Sequence, residues 1–203
     1  MIAVIDYNIG NIGAVLNMFN RLGHRAQITC DPQAVAAASG IVLPGNGSFD
    51  ACMRNLKATG LVPLLDERVV GAGIPLLGIC VGAQMLGNGS EEGGEPGLGW
   101  IDATARRFPD LPDLRVPHMG WNTVLRANQD DPLAAALEPH SRFYFVHSYY
   151  LETANTEDVI LTAHYGLDFA AAIGRGSIRG VQFHPEKSHR FGKRLLDAFA
   201  GEC

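Results

Sequence analysis

One cysteine in this sequence stands between two glycines, at a point where the chain should change direction. The run Gly78-Ile79-Cys80-Val81-Gly82 follows an apolar segment and precedes a helical one. This pattern is typical of a nucleophile elbow, in which a strained strand-to-helix turn exposes the nucleophile. The first N–H groups of the helix favour a thiolate, and the Val81 N–H can donate to an oxyanion. Although most lone cysteines are simply buried, this setting predicts that Cys80 is a nucleophile.

The remaining cysteines have no comparable setting, and we interpret them as ordinary free thiols: Cys30, Cys52 and Cys203. No C-x-x-C pair occurs, and no His or Cys spacing matches a pattern of metal ligands. We therefore expect neither a metal nor a cofactor.

A candidate general base lies at the end of a strand-like run. His184 follows Gln182-Phe183 and precedes Pro185-Glu186. On an extended chain, residues two apart project to the same side about 6.6 Å apart. Glu186 can then reach one imidazole nitrogen and leave the other for the thiol. Pro185 removes a backbone donor and is expected to keep the chain extended. Alone, His-Pro-Glu is more often a surface turn, but with Cys80 it predicts a catalytic triad.

A glycine-rich turn, Pro44-Gly45-Asn46-Gly47, ends the third predicted strand. In a doubly wound sheet this strand end should lie beside the cysteine turn, where Asn46 can complete an oxyanion hole with Val81. A phosphate loop is one competing interpretation, but the remaining glycine and lysine of such loops are missing. A plain Asn-Gly turn is another. Gln84, one helical turn after Cys80, can hydrogen-bond an amide-bearing substrate.

The strands and helices that must position these residues alternate in the first half of the chain. Apolar runs predict strands at 1–5, 24–29, 41–43 and 75–79, most of them separated by helical periods. In the second half the predicted strands are closer together, at 121–126, 142–147, 159–164, 169–174 and 178–183. We therefore predict an α/β fold, with a three-layer, open, mixed sheet that is mostly parallel and flanked by helices.

The bulk composition is that of one domain with a sizeable core, since 47% of the 203 residues are hydrophobic. A formal net charge of -5 argues against binding to nucleic acid or to a membrane surface. Nothing near the N-terminus resembles an export signal, and no apolar run approaches the roughly 18 residues that span a bilayer. We expect one cytoplasmic domain over residues 1–203.

Together these residues resemble class I glutamine amidotransferases, and more narrowly the glutaminase subunits of imidazole glycerol phosphate synthase in histidine biosynthesis. The resemblance covers nearly the whole chain and implies a flavodoxin-like sheet. The segments that carry it are Gly10-Asn11, Pro117-His118-Met119-Gly120-Trp121-Asn122, Tyr144-Phe145-Val146-His147-Ser148-Tyr149 and Gln182-Phe183-His184-Pro185-Glu186-Lys187-Ser188.

The resemblance implies a reaction on glutamine. Cys80 would attack the amide carbon, His184 would move protons, and Glu186 would orient His184. Ammonia would leave, and water would release glutamate from the thioester. The implied glutamine-holding positions are Gln84, Glu92 and the backbone of Gly47.

The resemblance also implies a partner, a separate (β/α)8-barrel cyclase that forms a heterodimer with this chain. The cyclase would use the ammonia to make imidazole glycerol phosphate and an aminoimidazole carboxamide ribotide. The implied partner-facing positions are Asn11, Trp121 and Lys187. From the residues alone, core packing is the commoner use of a tryptophan such as Trp121.

The sequence departs from the family pattern at the oxyanion loop. Asn46 stands where an aliphatic residue is usual, and Ser48 follows the glycine. Because Asn tolerates positive φ better than a β-branched residue, we hypothesise that Asn46 changes how far the activity depends on the partner. Ile9 and Ala14 also depart from common choices, near the implied interface.

Three other functions share some of these features. One is a glutaminase of the same class that feeds a different synthase, although the segments around Trp121 and Tyr144 argue against it. Another is a free-standing cysteine hydrolase, such as a γ-glutamyl hydrolase, which should need no partner. The third is an inactive regulatory subunit, which an intact triad disfavours.

Overall fold

The computed structural model describes residues 1–9, 12–112 and 114–203. Its strands are β1 (Ile2–Ile5), β2 (Ala26–Thr29), β3 (Gly40–Gly45), β4 (Leu76–Cys80), β5 (Gly89–Ser90), β6 (Ala103–Arg107), β7 (His118–Thr123), β8 (Leu125–Arg126), β9 (Arg142–His147), β10 (Tyr149–Thr153), β11 (Val159–Tyr165), β12 (Leu167–Arg175) and β13 (Ile178–Val181). Its α-helices are α1 (Ile12–Arg21), α2 (Pro32–Ala36), α3 (Phe49–Ala58), α4 (Val62–Leu65), α5 (Val81–Gln84), α6 (Pro132–Ala135) and α7 (His189–Ala200). Helix α4 runs on into a π-helical segment, Asp66–Gly71.

One large mixed sheet organises the molecule, in the order β2-β1-β3-β4-β13-β12-β10-β6-β5, with β11 and β8 attached beside β12. The first five strands of this order pair in parallel. Strand β12 then runs antiparallel to β13 and continues the sheet towards β10 and β6. The mixed α/β sheet flanked by helices that the sequence predicts is confirmed.

The core follows from the apolar runs. Strands β1, β3 and β4 are buried along their whole lengths, as expected for strands covered on both faces. On one side α1 packs against α7, and the rings of Phe19 and Phe199 lie 6.4 Å apart. Among the described residues, no helix has the length and apolar character that crossing a bilayer requires.

The second half of the chain differs from the prediction in two respects. The strand expected over 121–126 is present but begins earlier and is divided: β7 starts at His118 and pairs with β9 in a separate two-stranded sheet, and β8 pairs with β11. Strands β5, β6 and β10 were not predicted at all. Each of the last two carries polar or charged residues on its partly exposed face, so neither forms an apolar run.

Parallel pairing brings three strand ends to one edge of the sheet. Strand β4 lies between β3 and β13, with Gly45 opposite Cys80 and Val181 opposite Ile79. Because the carboxyl ends of parallel strands share an edge, the chain segments that follow β3, β4 and β13 meet there. All the residues singled out for chemistry come from these segments or from the loops beside them.

Candidate active site

Cys80 occupies a strained strand-to-helix turn. It is the last residue of β4, and its φ of 56° and ψ of -114° lie in a region that L-residues rarely adopt. The flanking glycines are sterically required, since a Cβ on Gly82 would lie 1.9 Å from the Leu43 carbonyl oxygen. A Cβ on Gly78 would lie 2.7 Å from the Gly82 carbonyl oxygen. The elbow geometry expected from the Gly-x-Cys-x-Gly pattern is therefore present.

His184 lies beside this turn, and Glu186 holds its ring. The Nδ1 atom of His184 is 2.8 Å from Glu186 Oε1, which leaves Nε2 for the sulfur. The expectation of an extended Pro185 is wrong, because residues Pro185–Lys187 form a 3-10 turn closed by a bond from Lys187 N to His184 O. The fixed φ of proline suits the first position of such a turn. The turn itself returns the carboxylate to the imidazole.

Three forces act on the His184 imidazole. Burial on its own lowers the pKa of His184, but hydrogen bonds with the Cys80 thiol and the Glu186 carboxylate, and the charges of both groups, outweigh it. The net effect raises the pKa from 6.5 to about 9. At neutral pH these interactions favour a protonated imidazole between the Cys80 sulfur and the Glu186 carboxylate.

The backbone around His184 is fixed by a serine that the sequence arguments did not assign. Ser188 donates from its hydroxyl to the His184 carbonyl oxygen at 2.6 Å and accepts from the Tyr144 N–H at 3.0 Å. The His184 N–H also donates to the Tyr144 carbonyl oxygen at 2.9 Å. These bonds join the triad segment to strand β9.

The loop Pro44-Gly45-Asn46-Gly47 is held by two side chains from the core. The Tyr7 hydroxyl donates to the Pro44 carbonyl oxygen, and the Cys52 thiol donates to the Asn46 carbonyl oxygen over 3.4 Å. Within this loop, positive φ occurs at Gly47, with a value of 97°, and not at Asn46. In this conformation Asn46 therefore does not use the positive φ that asparagine tolerates.

The Asn46–Gly47 peptide presents its N–H to the cleft side. In a trans peptide the C=O and N–H groups point in opposite directions, and the C=O of Asn46 is turned towards Cys52 in the core. Among the described residues, the Gly47 N–H makes no backbone hydrogen bond outside the regular helices and strands, and Gly47 belongs to none of these elements. This N–H is thus available to an oxygen atom bound near Cys80.

An open cleft of about 290 Å³ lies over Cys80 and His184. Its walls include every predicted oxyanion and substrate position, namely Asn46, Gly47, Val81, Gln84 and Glu92. They also include residues that the sequence arguments did not assign to the site, namely Pro117, Val146, His147, Ser148 and Tyr149. Four of these lie where β9 passes into β10, a connection that could not be placed while β10 was missed.

Glu92 and Gln84 each make a bond that fixes them at the cleft. Glu92 Oε2 accepts from the Phe49 N–H at 2.7 Å, so the carboxylate caps the first turn of α3, where Ser48 makes no side-chain cap. Gln84 uses its amide nitrogen inside the protein, for the Tyr149 carbonyl oxygen at 3.3 Å and Gln182 Oε1 at 3.1 Å. Its amide oxygen remains as the group that can accept from a ligand.

Two of the positions implied to face a partner, Trp121 and Lys187, both lie against Tyr144. Trp121 is 40% exposed, and its ring stacks on His189 with centroids 5.6 Å apart. The neighbouring Met119 of β7 is 62% exposed, so neither of these two side chains packs in the core. Lys187 is exposed at the cleft, with Nζ 5.8 Å from the Tyr144 ring. Asn11 falls outside the described residues.

Comparison with known proteins agrees with this geometry. The family model for class I glutamine amidotransferases matches residues 3–202. The chain is 48% identical to imidazole glycerol phosphate synthase subunit HisH 2 of Pseudomonas aeruginosa and 46% identical to that of Methanococcus maripaludis. Each alignment covers 98% of both chains.

Among solved structures, a glutamine amidotransferase from Thermotoga maritima is similar with a TM-score of 0.64 at 20% identity. That alignment covers 99% of this chain and 82% of the other. At this level of identity the similarity concerns the fold.

Proposed function

Since the chain belongs to the class I glutamine amidotransferase family, we propose that it hydrolyses glutamine to glutamate and ammonia and passes the ammonia to a partner. The relatives support a role as the amidotransferase component of imidazole glycerol phosphate synthase in histidine biosynthesis. The proposal treats residues 1–203 as one glutaminase domain. The observation that carries it is the hydrogen bonding of His184 to both Cys80 and Glu186, with Cys80 and His184 lining one cleft.

The first half of the reaction is acyl transfer to sulfur. The Cys80 thiolate attacks the amide carbon of glutamine, and the negative charge moves to the former carbonyl oxygen. Val81 N–H and the backbone of the Asn46 loop are the proposed donors to this oxygen. The His184 imidazolium gives its proton to the departing nitrogen. Ammonia is released, and a γ-glutamyl thioester remains on Cys80.

The second half releases glutamate. His184, now neutral, takes a proton from water while the oxygen of that water attacks the thioester carbon. The carbon–sulfur bond breaks, the thiolate is restored, and His184 is again protonated. Glu186 keeps Nδ1 of His184 in a bond at 2.8 Å throughout, so that Nε2 faces the sulfur in both halves.

The cleft offers complementary groups to the other end of glutamine. Gln84 has a free amide oxygen for an N–H donor, and the Gly47 N–H can meet a carboxylate oxygen. Glu92 lies at the cleft wall with a negative charge that suits an ammonium group. We propose these three residues as the glutamine-binding positions.

The proposed partner is a (β/α)8-barrel cyclase that consumes the ammonia in forming imidazole glycerol phosphate and an aminoimidazole carboxamide ribotide. Trp121 and Lys187 support a docking face near the cleft, and Asn11 is proposed as a further contact from the resemblance alone. If this is correct, Trp121→Ala should weaken cyclase binding by at least about tenfold, because exposed aromatic anchors dominate interface energies. The matched control is Val70→Ala, which also shortens an exposed apolar side chain, 57% exposed and away from the cleft.

Ammonia release by wild type and Cys80→Ala, each with and without the cyclase and its nucleotide ligand, tests the proposal. We expect release that depends on Cys80 and is stimulated by the cyclase. Release in Cys80→Ala equal to wild type would exclude Cys80 as nucleophile. Full release without any cyclase effect would instead support a free-standing hydrolase.

A further inference from the structure

A file of hydrogen bonds runs inward from strand β7 towards Cys80, and its first member, Asn122, has a fixed orientation. Asn122 Oδ1 accepts from the Thr123 N–H at 2.8 Å, so its Nδ2 is on the other side. Nδ2 donates to the His164 carbonyl oxygen at 2.8 Å and lies 3.3 Å from His118 Nε2. Because a carbonyl oxygen only accepts, the Asn122 amide cannot be turned round, and His118 Nε2 must be an acceptor.

The next two members are histidines with matching tautomers. His118 Nδ1 is 2.9 Å from His147 Nε2, and His147 Nδ1 is 2.8 Å from the Tyr149 carbonyl oxygen. The carbonyl requires a proton on Nδ1 of His147, so Nε2 of His147 accepts from Nδ1–H of His118. Both rings are buried, and burial lowers the pKa of His118 to about 4 and that of His147 to about 3. Both histidines are therefore neutral.

The Tyr149 carbonyl oxygen also fixes the orientation of two glutamine amides, that of Gln84 directly and that of Gln182 through Gln84. It also accepts from Gln84 Nε2, so the Gln84 amide has one possible orientation. The same nitrogen donates to Gln182 Oε1 at 3.1 Å. The Gln182 amide is then turned so that its Nε2 lies 3.9 Å from Cys80 Sγ, as a donor to the sulfur.

We propose that His118 and His147 are positioning residues of this site, which hold the Tyr149 carbonyl oxygen where it orients the Gln84 and Gln182 amides towards ligand and sulfur. The proposal rests on the proposed function, because it takes Cys80 as the reacting atom. His118 is itself held by its ring, which stacks on Tyr165 with centroids 4.0 Å apart and on Phe145 at 4.8 Å. Its neighbour Met119 is exposed, because side chains alternate along a strand.

Two substitutions of His147 separate the proposed role from a merely structural one. An asparagine amide lies near the place of Nδ1, so His147→Asn can still donate to the Tyr149 carbonyl oxygen. A glutamine amide lies near the place of Nε2, so His147→Gln keeps the bond to His118 and loses the one to Tyr149. Each variant loses one buried bond, and we expect similar losses of melting temperature.

The two readouts are kcat/KM for glutamine and the rate at which iodoacetamide alkylates Cys80 at neutral pH. We expect His147→Gln to lower both by about tenfold or more and His147→Asn to recover most of each loss. The control is His24→Gln, in which the replaced ring contacts Asp197 and does not line the cleft. Equal alkylation rates in the Asn and Gln variants would overturn the proposal.

A second variant covers the case in which His147→Gln fails to fold. His118→Phe keeps a ring to stack on Tyr165 and Phe145 but cannot donate to His147, and it should also slow alkylation of Cys80. A wild-type rate in His118→Phe would overturn the proposal. If the wild type releases no ammonia under any condition, the proposed function fails, while the alkylation comparison still decides the role of the histidines.

Discussion

The Cys52 thiol donates to the carbonyl oxygen of Asn46, with 3.4 Å between sulfur and oxygen. Cys52 is buried in α3 and Asn46 lies on the loop at the cleft, so this bond ties the loop to the core. Burial raises the pKa of Cys52, which keeps its proton available for the bond at neutral pH. A residue interpreted from the sequence as an ordinary thiol thus orients the loop beside Cys80.

Cys52→Ala should disturb substrate binding more than chemistry. Without the thiol the Asn46–Gly47 peptide can rotate, and the Gly47 N–H no longer points steadily into the cleft. We expect KM for glutamine to rise about three- to tenfold, the effect of one hydrogen bond, with a smaller change in kcat. Cys52→Ser is the matched control, since it keeps a donor of similar size. Equal KM values in Cys52→Ala and wild type would contradict this role.

Asn46→Val tests whether the unusual residue of the loop alters dependence on the partner. Although Asn46 has no positive φ in this conformation, a flip of the adjoining peptide would pass through backbone conformations that a β-branched residue disfavours. We expect Asn46→Val to lower the rate without cyclase and to leave the stimulated rate closer to wild type. Loss of one oxyanion donor costs on the order of 2.7–4 kcal/mol, so a full effect is easily measured. Unchanged basal and stimulated rates would exclude the hypothesis.

The raised pKa of His184 predicts a specific dependence of stability on pH. Below pH 6.5 both the folded and unfolded chains keep the imidazole proton, and the stabilisation is fully present. As pH rises towards about 9, only the folded chain holds the proton, so the stabilisation declines and is lost through the folded-state pKa. The whole contribution is on the order of 3 kcal/mol.

Urea unfolding of wild type and His184→Gln on both sides of this pH range measures that contribution. The difference in unfolding free energy between them should shrink as pH rises from below 6.5 to above 9, because glutamine does not titrate. Titrating groups that do not contact His184 affect both proteins alike and cancel in the difference. A difference that stays constant or grows with pH would contradict the assignment.

Gly82→Ala should destabilise the fold through the elbow. A methyl group there would lie 1.9 Å from the Leu43 carbonyl oxygen, so α5 and β3 would have to move apart. Overpacking of this kind costs about 1–3 kcal/mol or more. Gly13→Ala is the opposite control, since nothing lies within 4 Å of its Cβ in α1 and helix propensity should add about 0.5–1 kcal/mol. Thermal unfolding distinguishes the two, and equal melting temperatures would refute the steric argument.

Strands that are buried on both faces could be predicted from the sequence, and strands with one polar face could not. The apolar runs around Val4, Val42 and Leu77 are continuous because those strands are buried on both faces, and they were predicted. Strands β6 and β10 were missed because each exposes one polar face, so their existence depends on neighbours rather than on composition. The same omission hid Ser148 and Tyr149 from the predicted cleft.

The backbone conformation at Pro185 could not be predicted from residue types alone. A proline restricts φ in an extended chain and in a 3-10 turn alike, so the residue types His-Pro-Glu could not distinguish these conformations. The Lys187 N–H and the Ser188 hydroxyl both donate to the His184 carbonyl oxygen and close the turn, and Ser188 and His184 are also bonded to Tyr144 of strand β9, 40 positions before His184. The pairing of His184 with Glu186 was thus predicted from their spacing, although its backbone conformation was not.

The sequence alone determined the types and local order of the reactive groups: a cysteine between glycines that steric contact demands, a histidine followed two positions later by a carboxylate, and a glycine-rich turn after a strand. The order of these groups is fixed along the chain, although the contact that requires glycine at position 82 comes from Leu43 on β3. The tertiary structure alone decided the rest, including the Cys52 bond to Asn46 and the file of bonds from Asn122 to Cys80. A hydrogen bond has a direction set by both partners, and only the packed fold brings such partners together.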